Sequence, residues 1–212
     1  MRLCGARVRA TDARMNRLLI ATGNRHKTEE ISAMLGADFL VEDLKDHPHL
    51  PSPEETGETF ADNAKIKAIA ASAALPDVLV LADDSGLEVD ALNGAPGVKS
   101  ARYAGANAND ADNRERLKRE LASNGATQPM TGRFHCCMVL ARKGEVLGVF
   151  DGAVEGRLLL CEEGSGGFGY DSLFVPDGHE HSFGVLPSEV KNQLSHRSRA
   201  LQKVVEWLKS SS

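Results

Sequence analysis

Two adjacent carboxylates, Asp83 and Asp84, follow the apolar residues 78–81 and precede a Ser-Gly pair. A short apolar run that ends in polar residues and Gly predicts a buried strand that leads into a turn. Because neighbouring carboxylates are costly to desolvate side by side, a cation is the usual partner of such a pair. Oxygen ligands favour Mg²⁺ or Mn²⁺ over Zn²⁺. The alternative is a turn in which one Asp caps its own backbone.

A second acidic group lies in residues 54–58, which contribute three more carboxylates to a predicted loop. If this loop folds towards Asp83 and Asp84, the carboxylates together complete an oxygen-only Mg²⁺ site. The alternative is an acidic loop that is simply solvated.

Residues 22–27 have the composition of an anion-binding turn between a strand and a helix. The free N–H groups and the positive dipole end of a helix N-terminus favour an anion, and Gly23 allows its close approach. Lys27 falls in the first helical turn, where a cation is unfavourable unless an anion is bound. The segment lacks the glycines and the Lys-Ser/Thr pair of a Walker A loop. The alternative is a strand-helix turn with an exposed Lys.

A glycine-rich segment, residues 164–171, contains Phe168 between glycines. Glycines on both sides leave the ring face accessible, which suits the stacking of a nucleotide base. The alternative is a flexible loop whose Phe fills the core.

Polar donors are concentrated near the C-terminal end, at Lys191 and in Ser195-His196-Arg197. At helical spacing Lys191 and Ser195 share a face, and His196 and Arg197 add donors that suit a keto oxygen or a phosphate. The alternative is a helix N-terminus with solvated basic residues. Together, the acidic residues, the anion-binding turn, the aromatic ring and the polar donors are the inventory of a nucleoside triphosphate site.

The elements that must position these groups follow from the hydrophobic pattern. We predict a strand at residues 17–22, a helix at 26–35, a Thr59-capped helix to residue 74 and a strand at 78–82. This βαβ-like start predicts an α/β protein with a largely parallel core. Further elements are predicted as a helix at 110–123, a hairpin of 133–141 with 145–150, a strand at 172–175 and a helix at 194–209.

Length and composition indicate a globular protein with one domain. The 212 residues carry a net charge of −5, and because residues 1–16 hold four Arg and one Asp, the remainder is more acidic still. An acidic body argues against a nucleic-acid partner, and the absence of a long apolar run argues against a membrane partner. We expect residues 1–16 to be a disordered extension, with Met15 as the functional start, and the four cysteines to be reduced thiols.

The chain resembles the inosine/xanthosine triphosphate pyrophosphatase family, whose members clear noncanonical purine nucleotides. The matching motifs run in the family's order over nearly the whole chain. The six motifs are Thr22-Gly23-Asn24 with Lys27; Glu55-Thr56-Gly57 with Thr59-Phe60, Asn63-Ala64 and Lys67-Ala68; Ala82-Asp83-Asp84-Ser85-Gly86-Leu87; Gly94-Ala95-Pro96-Gly97 with Ser100-Ala101-Arg102-Tyr103; Gly166-Gly167-Phe168-Gly169-Tyr170-Asp171; and Ser195-His196-Arg197.

The resemblance implies a two-lobed α/β fold with a long mixed central sheet flanked by helices and an active cleft between the lobes. It assigns residues 17–212 to a single pyrophosphatase domain. It further implies a homodimer that requires Mg²⁺ and hydrolyses ITP, dITP and XTP to the monophosphate and pyrophosphate. The expected reduced thiols favour a cytoplasmic location.

Site residues are carried over from the matching motifs. Asp84 matches the catalytic carboxylate, which also binds the metal, and Glu54 matches the other metal position, with Glu55 as the adjacent alternative. Asp83 is left as a supporting residue or a second metal contact. The residues assigned to the substrate are Thr22, Gly23, Asn24, Arg25, His26, Lys27, Ser85, Phe168, Gly169, Tyr170, Asp171, Lys191, His196 and Arg197.

Base selection follows from hydrogen-bond chemistry. Inosine and xanthine present a 6-keto oxygen, whereas adenine presents an amino donor that would face the donors Arg197 and His196. The segment at residues 183–187 departs from the family pattern because an acidic residue is missing there. Two other functions stay open, namely a related nucleotide pyrophosphatase with a different base preference and a noncatalytic nucleotide- or RNA-binding module.

Overall fold

The computed structural model describes residues 16–123, 125 and 129–210. The predicted disordered extension, except for Asn16, and its Met15 start lie outside the described residues. Within those ranges no helix is long and apolar enough to cross a membrane. Three cysteines are described and all are free thiols, with Cys136 and Cys137 buried and Cys161 exposed.

A single six-stranded sheet forms the centre of the described chain, in the order β2-β1-β3-β4-β5-β6. Its strands are β1 (Asn16–Ile20), β2 (Phe39–Asp43), β3 (Leu79–Val89), β4 (Met130–Arg142), β5 (Glu145–Leu158) and β6 (Phe174–Pro176). Strands β2, β1 and β3 are parallel, but β4, β5 and β6 are antiparallel to their neighbours. The expected largely parallel core is therefore wrong, and the mixed sheet that the resemblance implies is confirmed. The β4–β5 hairpin is much longer than predicted, and it supplies most of the antiparallel pairing.

Five helices flank the sheet in the described ranges, and four of them lie within two residues of where the sequence predicts. They are α1 (Arg25–Leu35), α2 (Phe60–Ala74), α3 (Asp110–Ser123), α4 (Ser188–Leu194) and α5 (His196–Ser210). The Asn24 side chain caps α1, and Thr59 caps α2 by accepting from the Asp62 N–H. Gly36 ends α1 with a φ of 64°, a conformation that glycine adopts without strain.

The C-terminal helix predicted at 194–209 is α5, and the short helix α4 that precedes it was not predicted; Ser195, which has extended backbone angles, separates the two. The Ser195 hydroxyl accepts from the N–H of Ser198 at 3.2 Å and thereby caps α5. Ser195 also ends α4, where its N–H donates to the Lys191 carbonyl oxygen at 2.9 Å, so the predicted helical spacing of Lys191 and Ser195 is kept. Lys191 lies on α4, and the chain turns before Arg197.

The largest local difference concerns residues 83–86, which continue β3 instead of forming a turn. Strand pairing with β4 extends through them to Val89, because buried Leu87 and Val89 carry the apolar pattern past the polar residues. Within this strand, position 86 requires glycine, because the Gly97–Arg102 segment occupies the space that a side chain would need. The prediction of a strand that ends at residue 82 is therefore wrong. Strand β2 was not predicted from the sequence.

Buried apolar side chains form three clusters, and residues 83–86 lie where they meet. One cluster packs α2 on one face of the sheet, and another packs α1 and α5 on the opposite face. The third lies at the far ends of β3 and β4, against α3. Because successive strand residues point to opposite faces, Cys136 and Cys137 fall in different clusters. The same alternation separates Asp83 from Asp84.

Candidate active site

A cavity of about 320 Å³ opens beside residues 84–86. Its wall combines the β1–α1 turn, the Gly97–Arg102 segment, the loop at 168–171 and the α4–α5 junction. The predicted site residues that line it are Thr22, Gly23, Asn24, Lys27, Asp84, Ser85, Phe168, Gly169, Tyr170, Asp171, Lys191, His196 and Arg197. Segments far apart in sequence therefore meet in one place. Three predicted residues, Arg25, His26 and Glu54, do not belong to the wall of the cavity.

Asp83 points towards α1 and α5 and is completely buried. Its carboxylate lies 2.8 Å from Lys27 Nζ and 3.3 Å from Arg197 Nε, and the Ser85 hydroxyl donates to it at 3.3 Å. Burial alone raises the pKa of a carboxyl, but Lys27 and Arg197 together hold the pKa of Asp83 well below its usual range. Asp83 is thus a buried counterion for two cations, and its oxygens face protein groups instead of the cavity.

Asp84 points towards α2 and is the carboxylate that faces the cavity. Asn63 donates to it at 3.1 Å, and Lys67 Nζ lies 3.6 Å away. Burial raises the pKa of Asp84, and the negative charge of Glu55 adds to this effect, while Lys67 opposes it. A carboxylate with a raised pKa binds protons more readily, which is the property that a general base needs.

Lys67 connects the acidic groups of this wall and was not among the predicted site residues. Its Nζ lies 2.9 Å from Glu55 and donates to the Asp83 carbonyl oxygen at 2.8 Å. Asp84 and Asp83 raise the pKa of Lys67 against the effect of burial, so it is a cation. A signal was present in the sequence, because Asn63 and Lys67 are four residues apart and therefore share one face of α2.

The carboxylates of this wall indicate which residues could hold a metal ion. Glu55 lines the cavity, whereas Glu54 is exposed and does not belong to its wall. Among the described residues no group of three or more His, Cys, Asp or Glu side chains forms a metal cage. Mg²⁺ in nucleotide enzymes is usually held by one or two carboxylates together with substrate phosphates. Asp84 and Glu55 fit that donor set, so the structure favours Glu55 over Glu54 as the second carboxylate.

The β1–α1 turn connects a strand to a helix as predicted, but the N–H groups of His26 and Lys27, which were expected to be free, donate to the Asn24 side chain. The Thr22 hydroxyl accepts from the Asn24 N–H at 3.1 Å, and Asn24 caps the helix. Lys27 reaches into the cavity and pairs with Asp83. Arg25 is exposed and pairs with Glu29 at 2.7 Å on the outer surface.

Phe168 is half-buried at the cavity and lies outside the apolar clusters, so it does not fill the core. The His26 ring stacks on it with centroids 5.1 Å apart and an angle of 14° between the planes. Lys191 Nζ lies 4.8 Å from the centroid of the same ring. A base that stacks on the face covered by His26 has to displace that imidazole.

Asp171 organises the loop from inside. Its carboxylate accepts from the Phe168 N–H at 2.8 Å and from Lys191 at 2.6 Å. Gly167 has a φ of 70°, and the Asp171 carboxylate occupies the space that a Gly167 side chain would need. Tyr170 is buried, and its hydroxyl donates to the Ser100 carbonyl oxygen at 2.9 Å, so its polar end is directed into the protein.

Glu30 on α1 joins the two cations at this end of the cavity and is a second residue that sequence reasoning missed. It accepts from Lys191 at 2.7 Å and from Arg197. These two cations hold the pKa of Glu30 below its usual value, although burial opposes them. No local pattern indicates this role, because both partners lie more than 150 residues away along the chain.

His196 and Arg197 are both buried but differ in charge. The His196 ring stacks on Phe134 at 5.0 Å, and burial together with Arg197 lowers the pKa of His196 well below its usual value. His196 is therefore neutral at pH 7 and offers one donor and one acceptor. Arg197 stays charged and also donates to the Ser85 hydroxyl at 2.9 Å.

Comparison with known proteins adds independent information about this chain. The family model described as "Ham1 family" matches residues 18–207. A dITP/XTP pyrophosphatase from Halalkalibacterium halodurans is 44% identical over 195 residues, which cover 92% of this chain and all of that protein. A second dITP/XTP pyrophosphatase, from Geobacter sulfurreducens, is also 44% identical over 195 residues, covering 92% of this chain and 97% of its own.

Solved structures agree with the fold. The HAM1 protein of Coxiella burnetii superimposes with a TM-score of 0.81 at 34% identity, covering 92% of this chain and all of the other. The Ham1 protein of Staphylococcus aureus gives a TM-score of 0.81 at 37% identity, covering 93% of this chain and all of its own.

Proposed function

Because the chain belongs to the Ham1 family, we propose that it hydrolyses ITP, dITP and XTP to the monophosphate and pyrophosphate. The observation that carries the proposal is that one cavity is lined by both the Asp84 carboxylate and Phe168. The part around Asp84 offers a general base and cations for phosphate chemistry, and the part around Phe168 offers an aromatic ring with buried donors for a purine. Both parts are needed for hydrolysis that is selective for the nucleobase.

In the proposed mechanism, Asp84 accepts a proton from the attacking water. Its raised pKa suits this role, and the Asn63 amide, 3.1 Å away, fixes the orientation of the carboxylate. Lys67 and Lys27 line the same part of the cavity and supply positive charge to the phosphates.

We further propose that Mg²⁺ is required, held by Asp84 and Glu55 together with the substrate. When bound, the ion neutralises phosphate charge and stabilises the leaving pyrophosphate. The two carboxylates face the cavity, and Lys67 neutralises Glu55 until an ion arrives.

Base selection is assigned to the donors at the α4–α5 junction. Arg197 donates from Nε, Nη1 and Nη2 to Asp83, Glu30 and Ser85, so any remaining N–H group is held in a fixed direction. A 6-keto oxygen accepts from such donors, whereas the amino group of adenine leaves donors facing donors. Each unpaired buried polar group costs about 1–3 kcal/mol, which favours ITP over ATP.

Removal of the aromatic platform tests the purine end. We expect Phe168→Ala to raise KM for ITP about tenfold, because stacking of a base on an aromatic ring contributes about 1–3 kcal/mol. The free energy of unfolding should stay close to that of the wild type, since Phe168 is only half-buried. Phe39→Ala, on β2 and away from the cavity, is the control for KM. An unchanged KM, or a variant that no longer folds, contradicts the stacking role.

Metal removal tests the phosphate end. Activity on ITP should disappear in excess chelator and return when Mg²⁺ is added beyond the chelator. Glu55→Gln should require more Mg²⁺ for half-maximal activity than Glu54→Gln, because only Glu55 faces the cavity. Full activity in chelator contradicts the metal requirement, and the reverse order of the two variants restores Glu54 as the ligand.

A nucleotide panel tests the function itself. With ITP, XTP, dITP, dUTP, GTP and ATP compared at equal Mg²⁺, we expect kcat/KM to be highest for the first three. Preferred turnover of dUTP identifies a related pyrophosphatase with another base preference. Binding without any turnover identifies a noncatalytic module.

The homodimer and the cytoplasmic location are also part of this proposal; the first rests on the family resemblance and the second on the expected reduced thiols. Light scattering of the purified protein measures the first, and a mass equal to one chain contradicts it. The acidic composition supports the absence of a nucleic-acid partner.

A further inference from the structure

The first turn of α3 holds the loop that carries Phe168, and its Asp110 belongs to the wall of the cavity. The Asp110 carboxylate accepts a hydrogen bond from the Gly169 N–H at 2.7 Å. Arg114, one turn later, donates from Nη1 to the Gly169 carbonyl oxygen at 2.8 Å. Both backbone polar groups of one glycine are therefore bound by two side chains of opposite charge on the same helix.

Arg114 is itself oriented by a carboxylate. Its Nε lies 2.9 Å from Glu162 Oε2, which also accepts from the Ser172 hydroxyl at 3.2 Å. The Arg114 guanidinium therefore connects Glu162, which precedes the loop, to Gly169 within the loop.

The helix that supplies these side chains is firmly attached. Asn109 and Asp112 cap its N-terminus reciprocally, each side chain accepting from the other's N–H at 3.0 Å. Asn113 is buried and accepts from the Ala104 N–H at 2.7 Å. Leu117, one turn later on the same face and also buried, packs into an apolar cluster. The first turn of α3 is thus a rigid support.

Gly169 is directly adjacent to the aromatic platform, so its position determines where the Phe168 ring lies. Its φ of 60° turns the chain immediately after Phe168. The Phe168 N–H is bound inside the loop by Asp171, whereas both polar groups of Gly169 depend on α3. Without Asp110 and Arg114, this end of the loop loses its side-chain anchors.

We propose that Asp110 and Arg114 are positioning residues that fix the Phe168 ring, and thereby the purine, through the backbone of Gly169. The effect of this positioning on KM rests on the proposed function. The effect is confined to base binding, because neither side chain contacts Asp84 or Lys67 in the described structure. Since Asp110 is exposed, water can replace its bond to Gly169, and the loss for overall folding is small.

The first experiment measures the loop without using activity. Amide hydrogen exchange by mass spectrometry is compared for the wild type, Asp110→Ala and Arg114→Ala. Glu115→Ala and Arg119→Ala, exposed positions on the same helix, serve as charge-matched controls. We expect faster exchange in residues 164–171 for the first two variants only. Exchange that matches the controls overturns the proposal.

The second experiment is a double-mutant cycle with Phe168→Ala, measured as KM for ITP. Loss of a hydrogen bond to a charged group predicts an increase of about tenfold in each single variant, with kcat within about twofold of the wild type. In the Phe168→Ala background the same substitution should change KM by less than about twofold, because its effect acts through that ring.

The outcomes are distinguishable. Multiplicative KM effects in the cycle, an unchanged KM, or a fall in kcat without a change in KM each overturn the positioning role. A wild-type protein that does not hydrolyse ITP overturns the proposed function. The exchange measurement then still decides whether α3 holds the loop, and an unaltered loop overturns that as well.

Discussion

Replacing Asp84 by Asn is expected to lower kcat for ITP hydrolysis by about 10³-fold, because a positioned general base contributes about 10²–10⁴-fold. Asn has nearly the same shape, and its side-chain oxygen can still accept from Asn63. The substitution therefore removes the proton acceptor and a metal ligand while preserving the packing. The measurement is steady-state kinetics at saturating Mg²⁺, with Asp77→Asn on the surface as the control.

The pH profile of the wild type provides a second readout of the same residue. Because burial and Glu55 raise the pKa of Asp84 in the metal-free protein, the acid limb of kcat/KM at low Mg²⁺ should lie above the ordinary Asp value of about 3.9. Activity is lost as the pH falls through that raised pKa, since the protonated carboxyl no longer accepts a proton. An Asp84→Asn enzyme with wild-type kcat and an unchanged acid limb contradicts the role as base.

Replacing Arg197 by Met is expected to give a large loss of stability, in addition to a loss of base recognition. Arg197 is fully buried between Asp83 and Glu30, and removal of one partner leaves a buried carboxylate with less compensation. Breaking such a buried pair costs about 3–5 kcal/mol. Urea denaturation measures it, and Arg25→Met, which removes an exposed guanidinium, should change stability by less than about 1 kcal/mol.

The double variant Asp83→Asn with Arg197→Met separates charge from packing. Asp83 keeps Lys27 at 2.8 Å as a partner when Arg197 is removed, so the double variant leaves that lysine without its carboxylate and should be no more stable than Arg197→Met alone. The pH dependence has a defined sign: the folded pKa of Asp83 is lowered, so its contribution is present above the unfolded value of about 3.9. The contribution is lost as pH falls through the lower folded pKa, and the penalty of Arg197→Met should shrink there. A penalty equal to that of Arg25→Met contradicts the buried ion-pair network.

Much of the site could be predicted from the sequence because its chemistry is local. Short segments supply the β1–α1 turn, the Asp83-Asp84 pair and the Phe168 loop, and the structure brings all three to one cavity. The Asn24 and Thr59 caps were also predictable, since capping depends on residues within one helical turn.

The different positions of Asp83 and Asp84 were not predictable, because they depend on the continuation of β3. A turn would leave both carboxylates near one site, whereas a strand sends them to opposite faces. The choice is decided by pairing with β4, more than 50 residues later in the chain. Asp83 becomes a counterion for Lys27 and Arg197, and Asp84 alone faces the cavity.

The supporting residues were missed for a similar reason. Glu30, Asp110 and Arg114 act on groups that are distant in sequence, and nothing in their own neighbourhoods distinguishes them from exposed charges on a helix. Lys67 is different, since its spacing from Asn63 on α2 indicated a shared face. A search for polar pairs on otherwise apolar helix faces identifies such residues before a structure is known.

The identity of the products of ITP hydrolysis tests the central claim most directly. ITP is incubated with the purified protein and Mg²⁺, and phosphorus NMR follows the products, with ATP treated in parallel. The account predicts IMP and pyrophosphate in equal amounts, no IDP, and turnover of ATP at least about tenfold slower. Formation of IDP and orthophosphate, or equal turnover of ATP and ITP, would contradict it.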